Sequence, residues 1–460
     1  MKTDGDISNP DFTARAHHLN WRRCIVNRLN TAGQLLARLS LIAFTMLVAQ
    51  LASVKFVAAQ IRPGDIISAP DAHRVEQLVS PGVYLRVTRG MSMQIVPTDR
   101  IEWPPPYREA TEKYSAQVRL SSDRRSLAGY VAGLPFPFID PNDPDAGTKV
   151  MWNNTFRPTA TDDYDARDFS CISEYDGLNR PYAPISYYEM GHLASYNLVG
   201  RTEVEPLPTD PDFLTSGRLL LIGFYPMLAP EQERGRGFIR YRYADPLKGD
   251  DTWSWSPGSR RIRRFSEATL GSSAGAITWS LDNFQGFAAK NENYDWRFLG
   301  EKPMLASISA GHVPEVTCPT DGGASACPER WEMRRMYIVE GLARRDRVPE
   351  ELFGRHVLYL DAEAQCIMYQ DFYDRRGELW KNYISWMAYR DRAVPDARVA
   401  IYPFKRVFQV GASIDDLKGQ FASMCYLPAQ DTSEHESWYI NMGAVDRSFF
   451  TVKALTAAAP

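Results

Sequence analysis

The chain carries no excess of either charge. Lysine and arginine total 53 against 56 acidic residues, a net charge of −3 over 460 residues. The cationic footprint of a nucleic-acid binder is therefore missing. Arg260-Arg261 and Arg263-Arg264 are local exceptions, and their pattern suits a solvated strand edge, where cations discourage edge-to-edge pairing. Histidine is scarce, with seven residues. His192, His312, His356 and His435 are scattered and lack the two-histidine helical spacing of a zinc protease. No Walker A run, dinucleotide-binding glycines or haem-attachment C-x-x-C-H occur. No G-x-S-x-G elbow with a histidine base is read from the chain. Asp361 and Glu363, a carboxylate pair to weigh for glycoside chemistry, read as solvated hairpin-turn residues. Asp140, Asp143 and Asp145 are interrupted by Pro141 and Pro144, which spoils a calcium loop of EF type. The expectation is a protein that is not an enzyme, with no metal and no cofactor.

Long apolar runs are also lacking. Leu39–Ala52 is mostly apolar, but it is short and interrupted by Gln50 and Lys55, so it does not read as a spanning helix. Arg22, Arg23, Arg28 and Arg38 precede it, and Val57-Ala58-Ala59 supplies small residues behind it. That order predicts a secretory leader over residues 1–59, cleaved after Ala59. No lipobox cysteine follows the run, since Cys24 precedes it. The chain is expected to be exported, and the mature protein is not expected to be lipidated.

Six cysteines are present, and Cys24 falls in the leader. Cys318 and Cys327 bracket a flexible loop, which in an oxidising compartment reads as a disulfide. Cys171, Cys366 and Cys425 form an odd set that admits at most one further bridge, whose pairing stays open; Cys366 sits in a strand and suits a buried thiol.

What the chain has in quantity is apolar and aromatic surface, at 44% and 12% of residues. Phe353–Arg390 reads as a three-stranded meander, with turns at Ala362–Ala364 and Asp374–Gly377. Arg218–Phe224, Phe238–Tyr243, Thr252–Ser256, Arg260–Phe265, Asp295–Leu299 and Met333–Glu340 add strands, and Arg398–Phe408 extends the sheet. Helices are predicted from Pro70 to Val79, ended by Pro81-Gly82, then over Tyr107–Val118, from Asp145 into Trp152, and over Ile414–Met424. The tail Thr451–Pro460 reads as weakly ordered. No composition break divides the chain after the leader, so residues 60–460 read as one β-rich domain with an elaborated N-terminal segment, 60–150. Tyr241, Tyr243, Trp253 and Trp255 fall on one face of neighbouring strands, and Tyr359 and Met368 add to them from the meander. They either pack the sheet on its own helix or line an apolar cavity.

Several segments, in order, resemble bacterial LolA-like proteins described as outer-membrane lipoprotein-sorting proteins of unknown function. They are Gly129–Pro137, Lys149–Asn153, Tyr241–Tyr243 with Trp253 and Trp255, Tyr294–Trp296 with Gly300–Lys302, Val357–Asp361, and Tyr373–Lys381. The resemblance implies an α+β fold: a strongly curved antiparallel sheet, an incomplete β-barrel, covered by a few helices. It implies a periplasmic carrier of a lipid or acyl chain in envelope lipid or lipoprotein trafficking, working beside an outer-membrane protein or a resistance-nodulation-division exporter. The alternative is an adaptor that docks such a complex without a ligand.

Overall fold

The computed structural model describes residues 61–175, 184–265, 281–310, 329–348, 353–392, 401–419, 421–426 and 438–458. The leader and its cleavage point, the Cys318–Cys327 loop, His312 and His435 lie outside them. Compactness divides the chain into Met1–Arg62 and Pro63–Pro460, and the second unit holds every element below.

Its first part is mixed. Strands β1 (Ile66–Ile67) and β2 (Met93–Ile95) flank helix α1 (Pro81–Thr88), followed by α2 (Pro105–Tyr114), the small hairpin β3 (Arg119–Leu120) and β4 (Leu127–Ala128), and α3 (Ala146–Thr155). Then strands dominate: β5 (Asp163–Tyr175), β6 (Pro184–Asn197), β7 (Arg218–Phe224) after the short helix α4 (Asp212–Ser216), β8 (Met227–Ala229), β9 (Gly237–Tyr243), β10 (Asp251–Ser256) and β11 (Arg261–Phe265). The last run is β12 (Tyr294–Ala306), β13 (Glu329–Ala343), β14 (Arg355–Asp361), β15 (Ile367–Tyr373), β16 (Leu379–Arg392), β17 (Ile401–Asp416), β18 (Phe421–Tyr426), β19 (Tyr439–Ile440) and helix α5 (Val452–Ala457).

These strands form one antiparallel order, β11-β10-β9-β7-β6-β5-β18-β17-β16-β15-β14-β13-β12. Among the described residues nothing joins β11 to β12, so the curved sheet stays an open barrel, and the fold is α+β. The order is two meanders, β5 to β11 and β12 to β18, that meet where β5 pairs with β18. Cys171 and Cys425 are register partners at that seam and form a disulfide, while Cys366 is a buried free thiol. β11 is the outermost strand of its meander, and Arg261, Arg263 and Arg264 are exposed there.

Three expectations are corrected. Pro81-Gly82 does not end a helix. Pro81 opens α1 behind the N-cap Ser80, whose hydroxyl accepts from Val83 N, because proline at the first helical position gives up only a donor that has no partner there. Before it, only a 3-10 segment, Ala69–Arg74, forms. Ile414–Met424 is not a helix. Ile414 lies near the end of β17 and pairs with Ser423 of β18, with Leu417-Lys418-Gly419 as the turn; the strand partner outweighs the helical spacing. The tail is not loose either, since Thr451 caps α5 and Leu455 is fully buried. Among the described residues no helix is long and apolar enough to cross a membrane.

Candidate functional site

The sheet sorts its side chains by strand alternation. On β9 and β10, Ile239, Tyr241, Trp253 and Trp255 form one face, and the C-terminal segment lies on it. Tyr225, Ile239 and Leu455 make a buried cluster with these aromatics around it. The Tyr241 and Trp253 rings are 4.9 Å apart, and Tyr225 stacks on Phe449 at 4.6 Å. The Tyr225 and Tyr241 hydroxyls donate to the Phe449 and Phe450 carbonyls. Tyr243 donates to Asp251 Oδ2 at 2.6 Å, under the Lys248 ammonium.

Tyr359 and Met368 are not with this group. Both are buried in the β14–β15 hairpin, where Tyr359 packs on Tyr369 at 4.9 Å. The structure thus separates the six sequence-selected residues into two places. α1 packs on β15 and β16 through a buried polar latch. The Asp371 carboxylate accepts from Ser80 Oγ, Gly82 N and Asn382 Nδ2 at 3.1, 3.1 and 2.7 Å. Arg86 donates to Ser413 Oγ and the Asn382 carbonyl. Burial pushes the Asp371 carboxyl up to about 6, against the lowering effect of its donors. A Cβ at Gly82 would stand 2.3 Å from Asp371 Oδ1, so only glycine lets the helix start sit this close.

The opposite surface of the second meander is the apolar one. Six strands contribute to it: Tyr294 and Trp296 from β12, Tyr337 and Val339 from β13, Leu358 and Leu360 from β14, Ile367 and Phe372 from β15, Tyr383 from β16, and Ala412 and Ile414 from β17. Its cover is small. It consists of Ala146, Val150 and Met151 on α3, Phe136 and Ile139 from the preceding loop, and Phe287 with Ala289. Fixed contacts hold α3 in place. Asn153 accepts from Phe136 N at 2.9 Å and donates to the Phe136 carbonyl at 2.8 Å. Asn291 Nδ2 donates to the Met151 carbonyl at 3.1 Å. Gly147 lies so close to β12 that a Cβ would meet the Arg297 carbonyl carbon at 2.8 Å.

Four of the segments that carry the sequence resemblance, Gly129–Pro137, Lys149–Asn153, Tyr294–Trp296 and Val357–Asp361, therefore meet at this layer. Composition alone pointed instead to the Trp253 stripe. The signal that could have found the layer is the alternation of Leu358, Leu360 and Phe372 in the meander, read together with Val150 and Met151 on one turn of helix.

Polar residues weighed for chemistry serve the fold. Asp361 is fully buried, not solvated. It accepts from Arg334 Nε at 2.6 Å and from the Glu363 and Ala364 amides. The cation beside it makes burial of the charge tolerable. His192 Nδ1 is 2.9 Å from Asp165 Oδ1, and His356 Nδ1 is 2.8 Å from Gln370 Nε2. Asp143 pairs with Lys149, which holds its carboxyl below the usual range. Among the described residues no cluster of His, Cys, Asp or Glu is arranged to hold a metal. One sequence reading needs correction: Gly271-Ser272-Ser273-Ala274-Gly275 does have G-x-S-x-G spacing. It lies outside the described residues.

Solved structures are similar to this chain, three of them as follows. A domain named for outer-membrane lipoprotein sorting, from Vibrio parahaemolyticus, shares 14% identity, with a TM-score of 0.44 over 68% of this chain and 100% of that one. A DUF1329 protein from Desulfovibrio piger shares 14% identity, with a TM-score of 0.42 and the same coverage. A LolA superfamily protein from Nitrosomonas europaea shares 12% identity, with a TM-score of 0.32 over 64% and 91%. No curated protein matches. The profile of a family described as protein of unknown function, DUF1329, matches residues 66–456, and the chain belongs to that family.

Proposed function

We infer that this protein is a non-enzymatic carrier or binder of a hydrophobic ligand, a lipid or acyl chain, in the traffic of lipids or lipoproteins through the periplasm. One observation carries the reading: the apolar face of six strands is covered by one ten-residue helix and a few loop side chains. Such a layer can exchange its cover for a ligand chain, because each CH2 that replaces a protein contact keeps about 0.8 kcal/mol of burial. The buried Cys171–Cys425 disulfide suits an oxidising compartment, as the predicted leader does. The ligand chain would lie under α3, away from the Tyr241–Trp253 face that α5 covers. An outer-membrane or exporter partner belongs to the same reading as the source or recipient of the ligand.

Native mass spectrometry of protein purified from a periplasm, with lipid extraction of the same sample, tests it. A stoichiometric apolar ligand is expected. A protein that is empty and also refuses fluorescent fatty acids would overturn the carrier reading and leave a packed core.

A further inference from the structure

At the edge of the apolar layer the surface changes character. The start of α3, the first residues of β12, the end of β13 and the β3–β4 hairpin enclose a cleft of about 120 Å³. That is room for about four waters, and far below the roughly 300–1,000 Å³ of a site for a whole organic ligand. Its floor is Tyr294 and Trp296, the β12 members of the apolar layer. Its walls carry three cations, Arg124, Arg125 and Arg344, against two carboxylates, Glu292 and Asp295.

The charges do not cancel inside the cleft. Arg124 Nε lies 2.7 Å from Asp145, Arg344 lies 2.6 Å from Asp295, and Glu292 is held by Lys290 at 3.1 Å. Among the described residues Arg125 makes no ion pair of its own, and its acidic neighbour is Asp123, which accepts from the Arg125 backbone N–H at 3.1 Å. The Nε atoms of Arg125 and Arg344 are both buried and have no hydrogen-bond partner. Asp145 Oδ1 beside them is likewise buried without a hydrogen-bond partner, and the two orphaned donors that line the cleft can be satisfied by an acceptor that enters it. Thr148 of the first turn of α3 also lines the cleft. A helix start adds partial positive charge and outward-pointing N–H groups. Tetrahedral oxyanions fit such a set, because guanidinium groups donate to them in a planar fork.

We propose that this cleft binds a phosphate group, and that in the carrier it holds the phosphorylated headgroup of the amphiphile whose chain lies under α3. The phosphate site stands on the cleft itself; its assignment to a lipid rests on the carrier reading. Tyr294 and Trp296 link the two, since one side of the cleft floor is also the edge of the apolar layer. The headgroup sits among the arginines and the chain continues over the two rings.

Calorimetric titration of the purified protein with three probes separates these claims: inorganic phosphate, dihexanoyl phosphatidic acid and dihexanoylglycerol. Phosphate is expected to bind the parent protein. Arg125→Gln should weaken it by about tenfold or more, the scale of a lost charge-assisted pair of hydrogen bonds. Arg345→Gln removes a neighbouring exposed charge that does not line the cleft, and should leave binding unchanged. Arg125→Lys keeps the charge without the Nε donor and should fall between. Because Arg125 makes no ion pair among the described residues, and the backbone hydrogen bond to Asp123 survives the substitution, the thermal midpoint of Arg125→Gln should stay close to the parent. Phosphatidic acid should bind more tightly than phosphate and show the same dependence on Arg125. Absence of phosphate binding, or equal weakening by Arg125→Gln and Arg345→Gln, overturns the site. Phosphate binding that depends on Arg125, with no gain from the acyl chains and no binding of dihexanoylglycerol, keeps the site and overturns the lipid assignment. Binding of dihexanoylglycerol alone keeps the carrier and overturns the site.

Discussion

Asp371 is a carboxylate that the fold holds against its own ionisation. Its carboxyl is raised to about 6 by burial, against 3.8 for the unperturbed group. The folded state therefore binds the proton more tightly than the unfolded chain does. The stabilisation this gives is complete below pH 4 and is lost as the pH rises toward 6. A displacement of that size corresponds to about 3 kcal/mol. Asp371→Asn keeps the shape and removes the titration. The stability difference between parent and variant, followed by denaturant melts from pH 4 to 7, should move against the parent as the pH rises, by an amount of that order. A difference that stays flat would mean that Asp371 ionises freely. Arg334 presents the opposite case, a cation that an interior carboxylate requires. Arg334→Met leaves Asp361 fully buried with only amide donors. A loss of about 3–5 kcal/mol is expected in the same melts. Neither role was legible in the chain. Asp361 reads as a turn residue and Asp371 as one polar residue of a strand, because burial depends on which element later covers them.

At the scale of elements, helix α3 is the cover to test. Gly147→Ala places a methyl group 2.8 Å from the β12 backbone, and backbone cannot give way as a long side chain can. The substitution should cost about 1–3 kcal/mol. If α3 gates the apolar layer, it should also speed the uptake of a fluorescent fatty acid, measured by stopped flow. Slower or unchanged uptake in a folded variant would place the entrance elsewhere. Helix α5 gives a second test. Ending the chain after Ser448 removes Phe449, Phe450 and Leu455 from the Tyr225–Trp253 face. Tryptophan emission should shift to the red and the thermal midpoint should fall, while an unchanged spectrum would mean that the face is covered by something else. Both elements show what periodicity can and cannot tell. The sequence was enough to predict a helix from Asp145 into Trp152, whereas the six-residue α5 is too short to carry a pattern and forms because tertiary packing supports it. The expected helix at Ile414 failed for the converse reason. Its apolar spacing fits a helix, but β5 and β16 offer β17 and β18 a ladder on both sides.

At the scale of the molecule, the sheet depends on one seam. The meanders β5–β11 and β12–β18 are each built from local pairings, but they join through β5 and β18, whose bridged cysteines lie 254 residues apart. Closing so long a loop in the unfolded chain is worth about 5 kcal/mol in the chain-entropy picture. Reduction, or the pair Cys171→Ala and Cys425→Ala, should lower the thermal midpoint measurably, while reduction of the double variant should have no further effect. The absence of any change on breaking this bridge would show that the seam is held by its hydrogen bonds and packing alone. The sequence left the pairing of Cys171, Cys366 and Cys425 open, since strand order across 254 residues cannot be read from local pattern.

The three-stranded run β14–β16 and the helix at α3 follow from the chain itself. Alternation, turn residues and composition act over a few neighbours, and those neighbours are written in order. The seam between the meanders, the burial of Asp361 and Asp371, the apolar layer under α3 and the arginine cleft at its edge were decided only by the tertiary structure. Each brings together residues far apart in sequence, so their energies depend on which surfaces meet, and no local pattern records that.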